Sequence, residues 1–459
     1  MLVLVRLLSP SDYGRMALAQ TILAFVSVLS FKTFAPHAMQ LRDPNDVDWQ
    51  SHFTAASLIN AAAFLLLLLV AGCFTLITKY AGAALPLALV APVLLLEVPA
   101  TLRLTMVQVH HDWARLRLLN MVGSALASLI AVVIAVLGGG VWALAASVVF
   151  NVAPAALDLI FFTKWRPTWR LDWKRYRETL RFGLTRAGSA GILSGRQAVE
   201  QAMVAGAYNF STLGLFSRSM GLATLAGGRI GGLVSLALYP VITRADCGSE
   251  RFRRLAGLML RGVSWTTIPA SVLLAFCAPE IAATLYGRRW AGVVPLLPFA
   301  AAQAALGGIC WAAYTLLLAN NKIRSCLSVD VTSATVGAAL VFMLVPLGPR
   351  VYLTGLAAMY LLILGMITLM LRKSGGISLK HVGASLFPPL VSCAAASAVL
   401  VGARGALLTL GFLPLRLAVE GILFTSIFAL ALRAIFPSHV RELLEVVPGG
   451  RRAARALAL

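Results

Sequence analysis

The chain reads as a succession of apolar runs of about 20 residues, each long enough to cross a hydrocarbon core, separated by short polar turns. A fragment at 1–8 is followed by predicted spans at 16–36, 53–77, 84–108, 116–137 and 141–163. Two charged helices come next, over roughly 179–208 and 214–244, and then spans at 255–277, 293–319, 323–346, 351–371, 382–402 and 413–435. The pattern predicts an all-α polytopic membrane protein of about thirteen spans and a partial one.

The two charged helices depart from the apolar pattern. The first carries Arg186, Arg196, Gln197, Glu200 and Gln201, and a bare charge at bilayer depth costs several kcal/mol. At about 100° per residue these five share one broad face, interrupted by Leu193, while Gly188, Gly191, Gly195, Ala198 and Ala202 fall on the other. One side is therefore expected to pack closely through small residues and the other to face something wet. In the second helix Arg218 and Arg229 lie about 20° apart in angle, which predicts a single cationic stripe. At roughly 1.5 Å per residue, Arg196 and Arg229 each fall about 22 Å from a helix end, near the bilayer middle. Arg196 and Glu200, four residues apart, are also spaced to pair with each other.

Composition agrees with a membrane setting. Hydrophobic residues make up 59% of the 459 and charged residues 12%, against about 25% charged in soluble domains. The 39 Lys and Arg against 17 Asp and Glu give a formal charge of +22. They are scattered through short loops, which suits loops facing anionic lipid and speaks against nucleic-acid binding. Cys73, Cys247, Cys277, Cys310, Cys326 and Cys393 stand singly, so neither a disulfide framework nor a metal site is expected. His110 and His111, adjacent in a loop, read as solvated, and Met1 to Leu8 lacks the pattern of a cleavable signal peptide. Counted over alternate loops, Lys and Arg favour one side by more than about three to one, which puts the C-terminal tail and the 164–181 loop in the cytoplasm. In that loop Trp165, Trp169 and Trp173 sit among Arg and Lys, as in an interfacial segment with indoles at headgroup depth. Its helical part is expected to begin after Pro167.

The two halves repeat. Ser9-Pro-Ser-Asp-Tyr-Gly14 has a counterpart in Asn209-Phe-Ser-Thr-Leu-Gly214, with Ser11 over Ser211 and Gly14 over Gly214. Each leads into a helix expected to close on a proline, Pro36 or Pro240. A turn followed by a helix at the same place in each half is the mark of a duplicated transporter. A long helix precedes the second turn and only a fragment precedes the first, so the first helix is expected to be truncated. A duplicated bundle with short loops and charged interior positions suits a transporter better than an enzyme.

Several stretches resemble the bacterial oligosaccharide and polysaccharide flippases of the MOP (multidrug/oligosaccharidyl-lipid/polysaccharide) exporter superfamily. They are Arg6-Leu-Leu-Ser-Pro-Ser-Asp-Tyr-Gly14, Leu213-Gly-Leu-Phe-Ser-Arg218, Leu238-Tyr-Pro-Val-Ile-Thr-Arg244, Tyr286-Gly-Arg-Arg-Trp290 and Leu316-Leu-Leu-Ala-Asn-Asn-Lys322. The resemblance implies two pseudo-symmetric six-helix lobes around a central cavity, with two additional helices at the C-terminus. On this chain it implies an N-lobe over 1–163, a cytoplasmic interfacial linker over 164–178 and a C-lobe over 179–371. The last two helices and a basic cytoplasmic tail would occupy 372–459. It further implies movement of undecaprenyl-pyrophosphate-linked oligosaccharide across the bacterial inner membrane by alternating access. Such transport would serve exopolysaccharide, lipopolysaccharide O-antigen or capsule biosynthesis.

The candidate substrate site is a positive cavity of Arg186, Arg196, Arg218 and Arg229 with Glu200, suited to a pyrophosphate. A multidrug antiporter of the same superfamily would need a net acidic cavity for cationic cargo. A membrane glycan polymerase or ligase would carry a large outward loop, and a scaffold would leave the interior arginines unexplained. Glu97, between Pro92 and Pro99, lies where a broken helix exposes carbonyls of the sort that bind coupling ions, and is the candidate proton or sodium site; the alternative is that it pairs with Arg103. Asp158, Asp330 and Glu420 are the other acids in or near spans. No cofactor, metal or catalytic residue is expected. The expected partners are the lipid-linked oligosaccharide, anionic membrane lipids and polysaccharide polymerase machinery.

Overall fold

The computed structural model describes residues 2–40, 47–409 and 411–446; Arg42 and the basic tail beyond 446 lie outside them, as does the side chain of Arg186. Every regular element among the described residues is helical. In chain order the principal helices are α1 (Leu2–Leu7), α2 (Pro10–Val26), α3 (Trp49–Leu76), α4 (Ala81–Val109), α5 (Trp113–Val136), α6 (Val141–Phe162) and α7 (Trp173–Ala207). They continue as α8 (Phe210–Ile242), α9 (Glu250–Phe276), α10 (Leu297–Ala319), α11 (Ile323–Leu347), α12 (Pro349–Gly375), α13 (Leu379–Leu408), α14 (Leu413–Ile435) and α15 (Pro437–Val446). Eleven are long and apolar enough to cross a membrane, namely α3 to α6 and α8 to α14. The protein is a multi-pass membrane protein. Helix α2 is shorter than such a span, and α7, at roughly 52 Å for its length, is too polar to qualify by composition.

The helix starts follow local capping chemistry. Ser9 caps α2, its hydroxyl accepting from the Asp12 N–H at 3.2 Å while the Asp12 carboxylate accepts from the Ser9 N–H at 3.2 Å, a reciprocal box that satisfies two exposed donors. At the repeat-related position Asn209 Oδ1 accepts from the Thr212 N–H at 2.8 Å and opens α8. Asp48, Asp112 and Ser249 cap α3, α5 and α9 in the same manner.

The chain divides into two compact units, Met1–Ser217 and Arg218–Leu459. In the first, α5 packs on α6, α4 on α6, and α3 on α4, with α2 against α4 and α7. In the second, α11 packs on α12, α10 on α12, and α9 on α10, while α13 pairs with α14 and lies against α9. The order of packing inside each unit is the same, as a duplicated chain requires. The turns match too. The N–H groups of His110, His111 and Asp112 bond to the carbonyls of Met106, Gln108 and Val107, and those of Asn320, Asn321 and Lys322 bond to Leu316, Leu318 and Leu317. His111 and Asn321 both adopt positive φ, 56° and 53°, a conformation for which His and Asn are enriched. The unit boundary falls inside α8 and leaves α7 with the first unit, whereas the sequence repeat groups α7 with the helices that follow it.

Several boundaries differ from the hydropathy reading. The predicted span 16–36 is interrupted: α2 ends at Val26, a 3₁₀ turn covers Ser27–Leu29, and the helix resumes only over Phe31–Phe34. Ser30 is extended, φ −76° and ψ 164°, and its hydroxyl donates to the Ser27 carbonyl at 2.7 Å, a side-chain bond that competes with helix continuation. Helix α7 begins at Trp173, before the expected start near 179. The linker ahead of it is irregular and lies along the first turns of α3. Gln50 donates to the Arg166 carbonyl at 2.9 Å and accepts from the Thr168 N–H at 2.7 Å. The Thr54 hydroxyl accepts from the Arg170 N–H at 3.0 Å, and the Ser51 hydroxyl from the Asp172 N–H at 2.8 Å. Asp48, held low in pKa by the Ser51 hydroxyl and backbone N–H bonds that outweigh burial, completes this polar rail. Trp169 and Trp173 are exposed, and Trp165 turns in against Phe53 with ring centroids 6.0 Å apart.

Candidate functional site

The small-residue face predicted on α7 packs on the α2 segment, as a lipid-embedded helix pair with little side-chain bulk does. A Cβ at Gly195 would stand 3.2 Å from the Phe25 ring and one at Gly191 3.8 Å from Val28. The Tyr80 hydroxyl donates to the Ala202 carbonyl at 3.2 Å farther along the same face. Gly188 has nothing within 4 Å, so the packed face is shorter than the five small residues suggested. On the polar face Gln197 is exposed, while Arg196 is half-buried and Glu200 buried. Arg196 Nη1 lies 3.3 Å from Glu200 Oε2, so these two meet as the i,i+4 spacing allowed.

Arg218 and Arg229 do not share the predicted stripe. Between them α8 contains a π-helical turn, Thr224–Arg229, and such a turn lags an α-helix by about one residue, or roughly 100°. The cause is on the facing helices. A Cβ at Gly227 would meet the Ala304–Ala305 backbone and the Ser271 hydroxyl at 3.0 Å, and one at Gly308 would meet the Gly227 carbonyl at 2.8 Å. Close contact with α9 and α10 fixes Gly227 inward. Arg229, two residues on, is turned outward and exposed, and it makes no ion pair among the described residues. Arg218 is half-buried and acts electrostatically on the buried Tyr286.

Glu97 does not pair with Arg103. It sits on α4 with Lys32 Nζ 3.8 Å from Oε1, while Oε2 is buried with no hydrogen-bond partner among the described residues. The helix is broken nearby, since Ala91 and Pro92 form a turn and Pro99 cannot donate to the Leu95 carbonyl. The neighbouring Leu94 carbonyl takes a 2.7 Å bond from the fully buried Asn60. Arg103 instead reaches Asp158 on α6, Nε to Oδ2 2.5 Å, and Arg115 at the start of α5 binds the other carboxylate oxygen. One buried carboxylate thus joins three helices of the first unit.

A second buried ionic cluster was not foreseen. Arg416, at the start of the predicted span 413–435, is buried in α14 with Nη2 2.6 Å from Glu280 and Nε 3.1 Å from Glu420. The i,i+4 spacing of Arg416 and Glu420 was a signal for half of it; Glu280, far away in sequence, gave none. Asp330 accepts from the Tyr314 hydroxyl at 2.9 Å. No cluster of three or more metal-ligating side chains occurs among the described residues. The arrangement offers fixed charge and hydrogen-bond donors along membrane helices, which suits binding and passage of a charged solute.

Comparison with known proteins adds sequence and fold. A family model described as polysaccharide biosynthesis protein matches residues 3–295. Among solved structures the chain is similar to the lipid II flippase MurJ in an inward closed conformation, with a TM-score of 0.72 and 12% identity over 96% of this chain and 97% of that one. It is also similar to an inward-facing multidrug resistance MATE family transporter of the MOP superfamily, with a TM-score of 0.65 and 14% identity over 84% of this chain and 93% of that one. No curated protein matches it in sequence. The structural likeness establishes the fold of the MOP superfamily, and the family match covers well over half the chain. By that match the chain belongs to the polysaccharide biosynthesis protein family, carried on the helical fold of the MOP exporters.

Proposed function

We propose that the chain is a transporter that flips undecaprenyl-pyrophosphate-linked oligosaccharide across the bacterial inner membrane by alternating access. The product would feed exopolysaccharide, O-antigen or capsule biosynthesis. The observation that carries the reading is Arg229: an exposed guanidinium without an ion-pair partner among the described residues, within a 33-residue membrane helix. A cation at that depth requires an anion, and the planar fork of arginine matches phosphate oxygens. The π turn supports the same role, because such turns recur at functional sites.

In this reading Arg229 is the principal pyrophosphate ligand. Arg218 and Arg186 add positive charge, and Arg196 is shared between Glu200 and the substrate. The lobes would be 1–163 and 179–371 around a central cavity, with 372–459 added. Glu97 serves as the coupling site for a proton or sodium ion, supported by its half-satisfied buried carboxylate in a broken helix. The linker and the C-terminal tail face the cytoplasm, and polymerase machinery takes up the delivered glycan.

The test is surface display of the glycan in a cell lacking its own flippase, normalised to the amount of protein. Charge-assisted hydrogen bonds are worth about 1.5 to 3 kcal/mol, so Arg229→Gln should reduce display by roughly ten- to a hundredfold. Arg229→Lys should fall between this and wild type. Full display by Arg229→Gln would remove the pyrophosphate role.

A further inference from the structure

Between α3, α4, α6 and the beginning of the linker lies a cavity of about 590 Å³, within the size range of ligand sites. Its floor is made by Val98 and Leu159, both buried in the core of the first unit, and Phe53 and Trp165 close one side. Ser57 supplies a hydroxyl on α3. Pro99, where α4 cannot keep its regular hydrogen bonding, lines it as well. The outer wall is Ile160 and Phe161, 51% and 70% exposed at the end of a membrane-spanning helix.

An apolar chamber of this kind does not hold water, which needs several polar partners. It opens beside Ile160 and Phe161, apolar side chains exposed on a helix long and apolar enough to cross a membrane, so the molecule at hand to fill it is a lipid chain. Its rim is cationic. Arg166 lines the cavity, and its Nη1 donates to the carbonyls of Thr163 at 2.8 Å, Trp165 at 3.2 Å and Ile160 at 3.3 Å. These bonds cap the end of α6 and fix the guanidinium at the mouth, with other N–H donors left over. Lys164 and Arg170 are exposed on either side of it along the linker. The exposed indoles of Trp169 and Trp173 place this end of the helices at headgroup depth.

We propose that this cavity is a structural lipid site that takes one acyl chain of an anionic phospholipid, with the lipid phosphate held against Arg166 between Lys164 and Arg170. The linker, which connects the two halves of the chain, is then fastened by lipid on one edge and by the Gln50, Ser51 and Thr54 rail on the other. Binding at this site is independent of the glycan cargo.

The experiment is native mass spectrometry of the purified full chain, delipidated in detergent and titrated with phosphatidylglycerol or phosphatidylethanolamine. Wild type should retain one phosphatidylglycerol in preference to phosphatidylethanolamine. Ser57→Trp fills the chamber and should abolish retention of both lipids, and Leu95→Trp, from the α4 side, is the second filler should the first fail to fold. Lys164→Gln with Arg170→Gln leaves the chamber open and should lose the preference for phosphatidylglycerol by roughly fivefold per charge. Equal retention of the two lipids by wild type, unchanged retention in a folded filler variant, or an unchanged preference in the charge variant would each overturn the proposal.

Discussion

Gly14 of α2 and Gly214 of α8 stand back to back, so that a Cβ on Gly14 would lie 3.0 Å from the Gly214 nitrogen and one on Gly214 3.1 Å from the Gly14 nitrogen. Each would also run into a carbonyl, that of Phe210 for Gly14 and that of Pro10 for Gly214. Phe210 is the repeat counterpart of Pro10, as Gly214 is of Gly14. The contact is therefore symmetric, with each copy of the turn packed on the other.

Substitution there tests the crossing. Gly14→Ala and Gly214→Ala must each push two backbones apart, and overpacking a close contact typically costs about 1 to 3 kcal/mol. The double variant should cost less than the sum of the two, because one separation relieves both clashes. Thermal melting in detergent measures this. Two singles at wild-type stability would show that the helices do not pack so closely.

The repeated turn was legible in the sequence because a glycine at a close crossing has no substitute, and both copies kept theirs. The second repeated turn was not, since His110-His111 and Asn320-Asn321 share a backbone conformation rather than a residue type. A polar doublet ending on His or Asn after a long apolar run was the available signal. Pairs on one helix turn, Arg196 with Glu200 and Arg416 with Glu420, follow from spacing alone. Arg103 with Asp158 and Arg416 with Glu280 do not, because the partners come from different helices and local spacing says nothing of which helices pack together. The π turn in α8 was hidden for a similar reason, as its cause lies in Ala304, Ala305 and Ser271 on the facing helices.

The linker rail predicts a change in protease sensitivity. Gln50→Ala removes two hydrogen bonds to the linker backbone, each worth about 1 kcal/mol, so the linker should detach more often. Limited trypsin digestion in detergent should then cut faster after Lys164 and Arg170, several-fold over wild type, with Thr54→Val behaving alike; the Arg166–Pro167 bond resists trypsin in either state. An unchanged cutting rate would mean the rail does not hold the linker.

Asp158 predicts an asymmetric cost. Asp158→Asn leaves Arg103 and Arg115 together without their shared carboxylate, and removing one side of a buried ion pair costs about 3 to 5 kcal/mol. Arg115→Gln leaves Asp158 still bound to Arg103 and should cost less. The order is read from melting temperatures and protein yield. Equal loss in the two variants would show that the cluster is not organised around Asp158.

For Arg196 and Glu200, either single change to Gln should lower the amount of folded protein, because the other charge stays largely buried. The double change to Gln should restore the amount. Transport per molecule should stay depressed in the double if Arg196 also contacts the substrate. Complete recovery of glycan display by the double would leave this pair with a structural role alone.

Flipping can be watched with the purified chain in vesicles that carry a fluorescent undecaprenyl-pyrophosphate oligosaccharide in both leaflets. An impermeant quencher added outside reads how much of it can reach the outer face. With the wild-type chain the signal should continue to fall past the outer-leaflet share. With Arg229→Gln the slow phase should lengthen by roughly ten- to a hundredfold. A wild-type signal that stops at the same level as protein-free vesicles would mean that the chain does not flip this lipid.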